Sequence, residues 1–346
     1  MFEQGDVYRV AYDEERQART RVRLAILGAG GVAQAKYLPA IARLQSMWEP
    51  LELVGLSTVD RSQADKLAAA WRLPVYVDSD ALLREHAPDA VLVTSSDEAH
   101  RDLTLAALEA GAHVLVEKPI AKTLADAALM CRSAERAGRI LLTVCNKRYS
   151  PPYAEARRLL TTDIGRPFLF SGKFVLGYGN VDLLAAGTVH VFDLARFFMG
   201  DVARVTATAA RASRESIVVT LEHADGGVGT VLTTAAALSL HPWERVEIFG
   251  DDAWLTVEDQ WTLSLHSGEY EPARVWAPVV PNTLLSSEEW GGYVGMVEEL
   301  LRCARGEDPG ATELWDGYRA LELVAATRLS LRQHGAVDLP LEPSTP

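Results

Sequence analysis

Cysteine is scarce in this chain of 346 residues: Cys131, Cys145 and Cys303 lie far apart and form no CxxC pair. That excludes a disulfide framework or a cysteine-based zinc site, and fits a reducing compartment where thiols are small core side chains. Cys145 closes the apolar run Leu141 to Cys145 and is assigned to the core. Basic charge is also short: 34 lysines and arginines face 47 aspartates and glutamates, a net charge of −13. Nucleic acids and anionic membranes bind clustered basic footprints, so neither is expected as a partner. The apolar stretches are of strand length, which excludes a helical membrane span. The opening segment MFEQGDVYRVAYDEERQARTR is charged and has no apolar signal-peptide core. The expectation is a cytoplasmic protein with residues 1–21 as an N-terminal extension. No HExxH or paired-histidine spacing occurs, so no metal site is expected. Internal repeats and low-complexity segments are missing too.

What is present is an ordinary composition, 48% hydrophobic and 23% charged, on a chain long enough for two domains. From Val22 to Cys145, short β runs alternate with helical stretches. Strands are expected at Val22 to Leu27, Leu51 to Ser57, Ala90 to Thr94, His113 to Val116 and Ile140 to Val144. Between them Val32 to Gln45, Ser62 to Arg72, Arg101 to Ala110 and Leu124 to Ala137 read as helices, two of them closed by Gly111 and Gly138. Such alternation predicts a parallel sheet with helices on both faces. Beyond Cys145 strands follow one another, from Pro167 to Tyr178 through Trp261 to Leu265, which predicts a largely antiparallel sheet. Helices are expected at Val189 to Met199, Tyr293 to Arg305 and Leu314 to Arg332.

Two motifs carry chemistry. The first strand runs into Gly28-Ala29-Gly30-Gly31-Val32-Ala33, a G-x-G-x-x-A turn in strand–turn–helix context. Gly28 permits the tight turn, Gly30 lets backbone amides approach a pyrophosphate at the helix N-terminus, and Ala33 allows close helix–strand packing. The end of the second strand is less decisive. Asp60 is placed to hold ribose hydroxyls, while Thr58 with Arg61 is suited to a 2′-phosphate, so NAD and NADP both stay open. The second motif is Glu117-Lys118-Pro119. A lysine that follows a buried strand and precedes proline leaves the ladder and is delivered to the carboxyl edge of the sheet, where open α/β folds hold their chemistry.

The segment from Ala107 to Pro119, ALEAGAHVLVEKP, together with the Gly28 turn, resembles the family of glucose–fructose oxidoreductase, inositol dehydrogenase and the rhizopine-catabolism proteins (Gfo/Idh/MocA). Arg148-Tyr149, Gly165-Arg166-Pro167, Val246 to Gly250 and Asp316-Gly317 extend the likeness over nearly the whole chain. The resemblance implies an α/β chain: a Rossmann dinucleotide-binding domain over 22–145, then an α+β domain over 146–346 with a large open, mostly antiparallel sheet. It implies an active site in the cleft between them, a nicotinamide cofactor, and sugar, cyclitol or related polyol substrates. Lys118 would then stand by the nicotinamide and the reacting hydroxyl, donating to the carbinol oxygen as alkoxide character grows. Glu117 would contact Lys118 or the cofactor ribose. Ser95, Ser96, His100, Asn146 and Arg148 complete the implied cofactor set with Gly31 and Val32. The chain departs from the family pattern in two places. The post-strand loop T-P-N-x-x-H reads Ser95-Ser96-Asp97-Glu98-Ala99-His100, and in D-x-G-x-H-x-x-D the first aspartate is Ala186.

On its own residues, the segment after Gly187 offers Thr188 as an N-cap for a helix from Val189. His190, Asp193 and Phe197 then share one face, and Val191, Leu194, Ala195 and Phe198 the other. A first-turn His190 is kept neutral by the helix field and suits a general base, with Asp193 to orient it. Tyr178 and Asp182 are candidates to replace the carboxylate missing at Ala186.

The expectation is an NAD(P)-dependent oxidoreductase in which Lys118, His190 and Asp193 act on a secondary alcohol or its ketone. The alternatives are a glycoside hydrolase working through transient oxidation on bound NAD, and a non-catalytic dinucleotide-binding sensor. The apolar stripe Phe168, Phe170 and Phe174 needs a cover of helices or another subunit, and a homodimer or homotetramer through the second sheet is expected.

Overall fold

The computed structural model describes residues 20–177, 181–236, 242–268, 272–277 and 287–341. Tyr178 and most of the expected 1–21 extension lie outside these described residues. The chain divides into two compact units: one holds residues up to Val144 with 287–289 and 293–314, the other holds the remainder.

The sheet of the first unit is wholly parallel, built from β1 (Val22–Leu27), β2 (Leu51–Ser57), β3 (Val75–Tyr76), β4 (Ala90–Val93), β5 (His113–Val116) and β6 (Leu141–Thr143). Their order is β3-β2-β1-β4-β5-β6. Apolar runs without alternation, such as Ala90 to Val93, are buried on both faces, as a sheet sandwiched by helices requires. A π-helical turn, Ala33–Tyr37, leads into α1 (Leu38–Ser46). Asp60 caps α2 (Arg61–Trp71), Asp78 caps α3 (Ser79–His86), α4 spans His100–Glu109, and α5 (Leu124–Ala137) starts on Thr123 and ends on left-handed Gly138. The short β3 and α3 carry too little pattern to be read from sequence. Strand order reverses between β1 and β4, which puts the ligand crevice of such folds at their carboxyl ends.

The second unit holds β7 (Pro167–Val175), β8 (Val202–Ala210), β9 (Ser213–His223), β10 (Val228–Thr234), β11 (Trp243–Gly250), β12 (Trp254–Glu258), β13 (Thr262–His266), β14 (Arg274–Trp276) and β15 (Val337–Asp338). They form one sheet in the order β14-β13-β12-β11-β7-β10-β9-β8-β15, antiparallel except for the β7–β10 pair. Helices α6 (Pro151–Leu159), α7 (Val189–Met199) and α9 (Asp316–Gln333) belong to this unit, and α8 (Tyr293–Ala304) to the first. The expected second domain had included α8. Its buried face, Val294, Val297, Leu300 and Leu301, packs instead on α1 and β5.

Phe170 and Phe174 point to the inner face of the second sheet and are buried by the chain's own helices, while Phe168 at the strand end is 48% exposed. The open face is the opposite one, with Val218, Val228 and Leu232 exposed. Along it the register aligns Ser264, Thr256, Glu247, Ser171, Thr230, Thr220 and Thr206 across adjacent strands.

Gly172 of β7 sets how closely α7 lies on this sheet: a Cβ there would stand 2.4 Å from Val191 Cγ1 and 3.0 Å from the Phe170 ring. Val191 is stiff at χ1 and fully buried, so it cannot swing aside. Gly172→Ala is expected to lower stability by about 1–3 kcal/mol through overpacking, measured by urea unfolding.

Candidate active site

The glycine turn sits where the strand order reverses. Gly28 takes φ +95°, and a Cβ on it would lie 2.5 Å from the Cα and N of Ser95, in the loop after β4. The two loops therefore touch backbone to backbone, and Thr94 Oγ1 donates to the Gly28 carbonyl at 2.9 Å. Gly28 and Ala29 donate to the Ser57 carbonyl at the end of β2. Gly30 and Gly31 have open space where a side chain would stand, which suits the close approach of a pyrophosphate. Ala33 is fully buried, as helix–strand packing requires, and Val32 is 46% exposed.

At the tip of β2, Asp60 accepts from the amides of Ser62 (2.9 Å) and Gln63 (3.2 Å), so its carboxylate caps α2. Thr58 donates to Gln63 Oε1 at 2.7 Å, and Arg61 is exposed. In the loop after β4, Ser95 is half-buried and Ser96 exposed. His100 departs from the expectation of a cofactor contact. Its ring is fully buried, with Nδ1 2.9 Å from the Pro119 carbonyl and Nε2 3.3 Å from that of Ser95.

Lys118 stands two residues beyond the last residue of β5, half-buried, at the carboxyl edge. Buried Glu117 accepts from the Lys118 amide through Oε2 (3.0 Å) and from the Tyr37 hydroxyl through Oε1 (2.8 Å). Tyr37 was not read from sequence as a site residue. Eighty positions separate it from Glu117, and a tyrosine in a helical stretch signals no such contact.

In the second unit, α7 continues directly from a π-helical turn, Leu184–Thr188, and Thr188 is itself helical. Its hydroxyl bonds back to the Leu183 carbonyl (3.1 Å) instead of capping. The α-helix spans Val189–Met199 as expected, but it continues a π-helical turn and Thr188 does not cap it. Half-buried His190 lies past the first turn, and the argument from the helix-terminal field does not apply to it. The expected apolar face holds: Val191, Leu194 and Ala195 are fully buried and Phe198 nearly so.

The other face is ionic. Arg148 Nε and Nη2 bind the two oxygens of Asp193 at 2.9 and 2.5 Å, a bidentate pair. Arg148 Nη1 binds Asp316 at 2.7 Å, and Asp316 also accepts from Arg196, which pairs with Asp201. The side chains of Arg148 and Asp193 are each 5% exposed. Burial opposes the guanidinium charge, but Asp193, Cys145 and Asp316 outweigh it and hold Arg148 well above its ordinary pKa. Arg148 is thus spent on anchoring α7, and Asp193 answers Arg148 where an orienting partner for His190 was expected. Asn146 is buried, donates to the Gly291 carbonyl at 2.7 Å, and leaves Oδ1 without a partner. Asp182 forms an exposed ion pair with Arg328. No helix among the described residues is long and apolar enough to cross a membrane.

Residues 22–145 match the family model described as "Oxidoreductase family, NAD-binding Rossmann fold", Gfo/Idh/MocA, and residues 183–339 match the model of its C-terminal alpha/beta domain. The chain belongs to the Gfo/Idh/MocA oxidoreductase family. It is similar to D-apiose dehydrogenase of Paraburkholderia graminis, 30% identical over 83% of each chain. Myo-inositol 2-dehydrogenase of Thermotoga maritima is 26% identical over 76% of this chain and 84% of its own. Levoglucosan dehydrogenase, solved with NADH and levoglucosan, shares the fold with a TM-score of 0.83 at 18% identity, covering 93% of this chain and all of that one. As a Gfo/Idh/MocA member the chain is an NAD-dependent oxidoreductase, and the open glycine turn fits that cofactor.

Arg148→Met would remove the bidentate partner of buried Asp193 and one of the two arginines that bind Asp316. The variant is expected to lose about 3–5 kcal/mol of stability, measured by chemical unfolding.

Proposed function

We propose that this Gfo/Idh/MocA oxidoreductase oxidises a secondary alcohol of a sugar, cyclitol or related polyol, or reduces the matching ketone. One observation carries this reading: a lysine held at the carboxyl edge of the first sheet, beside the strand whose loop packs on the glycine turn. NAD, when bound, supplies the hydride acceptor. Lys118 donates to the carbinol oxygen, and its charge stabilises alkoxide character as the hydride leaves. His190 takes the hydroxyl proton. Asp193, locked to Arg148, acts on His190 through the placement of α7. Glu117 holds the Lys118 segment, and Ser95 and the amides from Gly30 to Val32 face the pyrophosphate. The names of the relatives, a D-apiose and a myo-inositol 2-dehydrogenase, support the substrate class.

NAD is the preferred cofactor in this reading, because the carboxylate of Asp60 just past the tip of β2 would repel a 2′-phosphate. Thermal shift in saturating NAD and NADP tests it: a ligand that binds only the native state raises stability, and NAD is expected to raise it more. A cytoplasmic location follows from the acidic charge and three free, buried cysteines.

The open face of the second sheet, with exposed Val218, Val228 and Leu232, is the proposed surface of a homodimer or homotetramer. Light scattering at micromolar protein is expected to give a dimer or larger; a monomer overturns it. Lys118→Ala is expected to lower kcat by roughly 10²–10³-fold, the scale for losing one transition-state donor, while NADH binding followed by fluorescence is retained. Near-unchanged turnover on the best substrate of a polyol panel would remove the role given to Lys118.

A further inference from the structure

Lys118 is the residue on which the proposed chemistry rests, yet the side chains that fix its backbone come from two other elements. On its N-terminal side, Glu117 is buried with both oxygens engaged, Oε2 by the Lys118 amide and Oε1 by Tyr37. Tyr37 is the last residue of the π-helical turn Ala33–Tyr37 that follows the glycine turn. It is fully buried and its ring meets Tyr293 edge-on, centroids 5.4 Å apart. Burial, then the charge of Glu117 and the neighbouring Tyr293, push the Tyr37 phenol well above its ordinary pKa. Its hydroxyl thus stays a donor at any working pH.

On the C-terminal side, the Pro119 carbonyl faces His100 Nδ1 at 2.9 Å. The other ring nitrogen, at 3.3 Å, faces the carbonyl of Ser95, the residue packed on Gly28. A neutral imidazole donates from one nitrogen only, and the shorter contact assigns that proton to Nδ1. One hydrogen-bonded route therefore runs from the glycine turn to Lys118, through Tyr37 to Glu117. On the other side His100, with its ring beside the Ser95 loop, donates to the Pro119 carbonyl.

We propose that Tyr37 and His100 are positioning residues that hold the Lys118 backbone from both sides and tie it to the dinucleotide turn. The proposal rests on the reading of Lys118 as the group that stabilises the alkoxide. Neither side chain is placed to touch cofactor or substrate, since both rings are fully buried. A displacement of about 1 Å at a reacting group costs up to 10²-fold in rate, so two hydrogen bonds that set the lysine's path are large levers.

The test uses Tyr37→Phe, which keeps the ring and removes the donor, and the pair His100→Asn and His100→Gln. The amide nitrogen of asparagine overlays Nδ1 and can reach Pro119, whereas that of glutamine overlays Nε2 and reaches Ser95. Tyr37→Phe and His100→Gln are each expected to lower kcat roughly tenfold with NADH affinity unchanged. His100→Asn should retain more of kcat than His100→Gln. A second readout needs no turnover: competitive acetylation of the cofactor-free protein, followed by mass spectrometry of the peptide carrying Lys118. The reactivity of Lys118 relative to exposed Lys66 should change in Tyr37→Phe and His100→Gln.

Wild-type kcat or unchanged Lys118 reactivity in Tyr37→Phe overturns the Tyr37 half. A kcat in His100→Asn no higher than in His100→Gln overturns the His100 half. Loss of NADH affinity in step with kcat overturns both, because the turn itself would then be disturbed. Lys118→Ala separates the layers: if it is inactive while Tyr37→Phe and His100→Gln are fully active, only the positioning fails. If Lys118→Ala is active, the underlying role of the lysine fails instead.

Discussion

The first unit depends on a missing Cβ. Gly28 lets the loop after β4 occupy the volume that any other residue would fill, so the loops that end β1 and β4 meet as one surface. Thr94 stitches that contact through the Gly28 carbonyl, and the Ser57 carbonyl at the end of β2 accepts from the amides of Gly28 and Ala29. Strand order reverses at this point, and reversal alone would leave a gap. Backbone contact closes the bottom of the gap, and open space lies beside Gly30 and Gly31. The opening is therefore shaped for something that approaches backbone amides, at a helix start that favours negative charge.

The second unit uses the opposite device around α7. One face of that helix is held by close apolar packing on β7, with no side chain at Gly172 to keep it away. The other face is held by largely buried charges, in the chain Asp193, Arg148, Asp316, Arg196, which ends on exposed Asp201. A second buried pair, Lys147 with Glu244, takes a further hydrogen bond from fully buried Tyr153. Buried ion pairs add little net stability over apolar packing, because desolvation offsets most of the attraction. What the bidentate geometry supplies is direction: a fork-shaped guanidinium accepts a carboxylate in few orientations. Packing fixes how deep α7 lies, and the ionic face fixes how it is turned.

Most of the first unit was legible in the sequence because each element there carries its own signal. Unalternating apolar runs marked the central strands, and Gly138 stood at a helix end. The weak cases failed for local reasons: Val75–Tyr76 is too short for a period, and the π-helical turn at Leu184–Thr188 puts a helical residue where Thr188 was expected to cap. The site residues divide the same way. Gly28, Gly30 and Lys118 are tied to turns that sequence encodes directly. The pairing of Glu117 with Tyr37, of Pro119 with His100 and of Arg148 with Asp193 and Asp316 joins distant positions, and only the folded packing brings them together. Arg148 was visible as a family position, but its buried partners were not.

Ala186 then takes on a defined meaning. In the family pattern a carboxylate stands there, one turn before the histidine. In this chain the position lies in the π-helical turn, its amide bonded to the Asp182 carbonyl at 2.7 Å. Of the nearest acids along the chain, Asp182 sits in an exposed ion pair with Arg328, whereas Asp193 is buried and bound to Arg148. Releasing Asp193 to grip a substrate would leave a buried guanidinium short of a partner, at a cost no single hydroxyl contact repays. A hydrogen bond to a charged acceptor contributes about 1.5–3 kcal/mol, and position 186 itself supplies no contact of that kind. The Lys118 segment is unaffected by the change, because Glu117 and Tyr37 hold it from within the first unit.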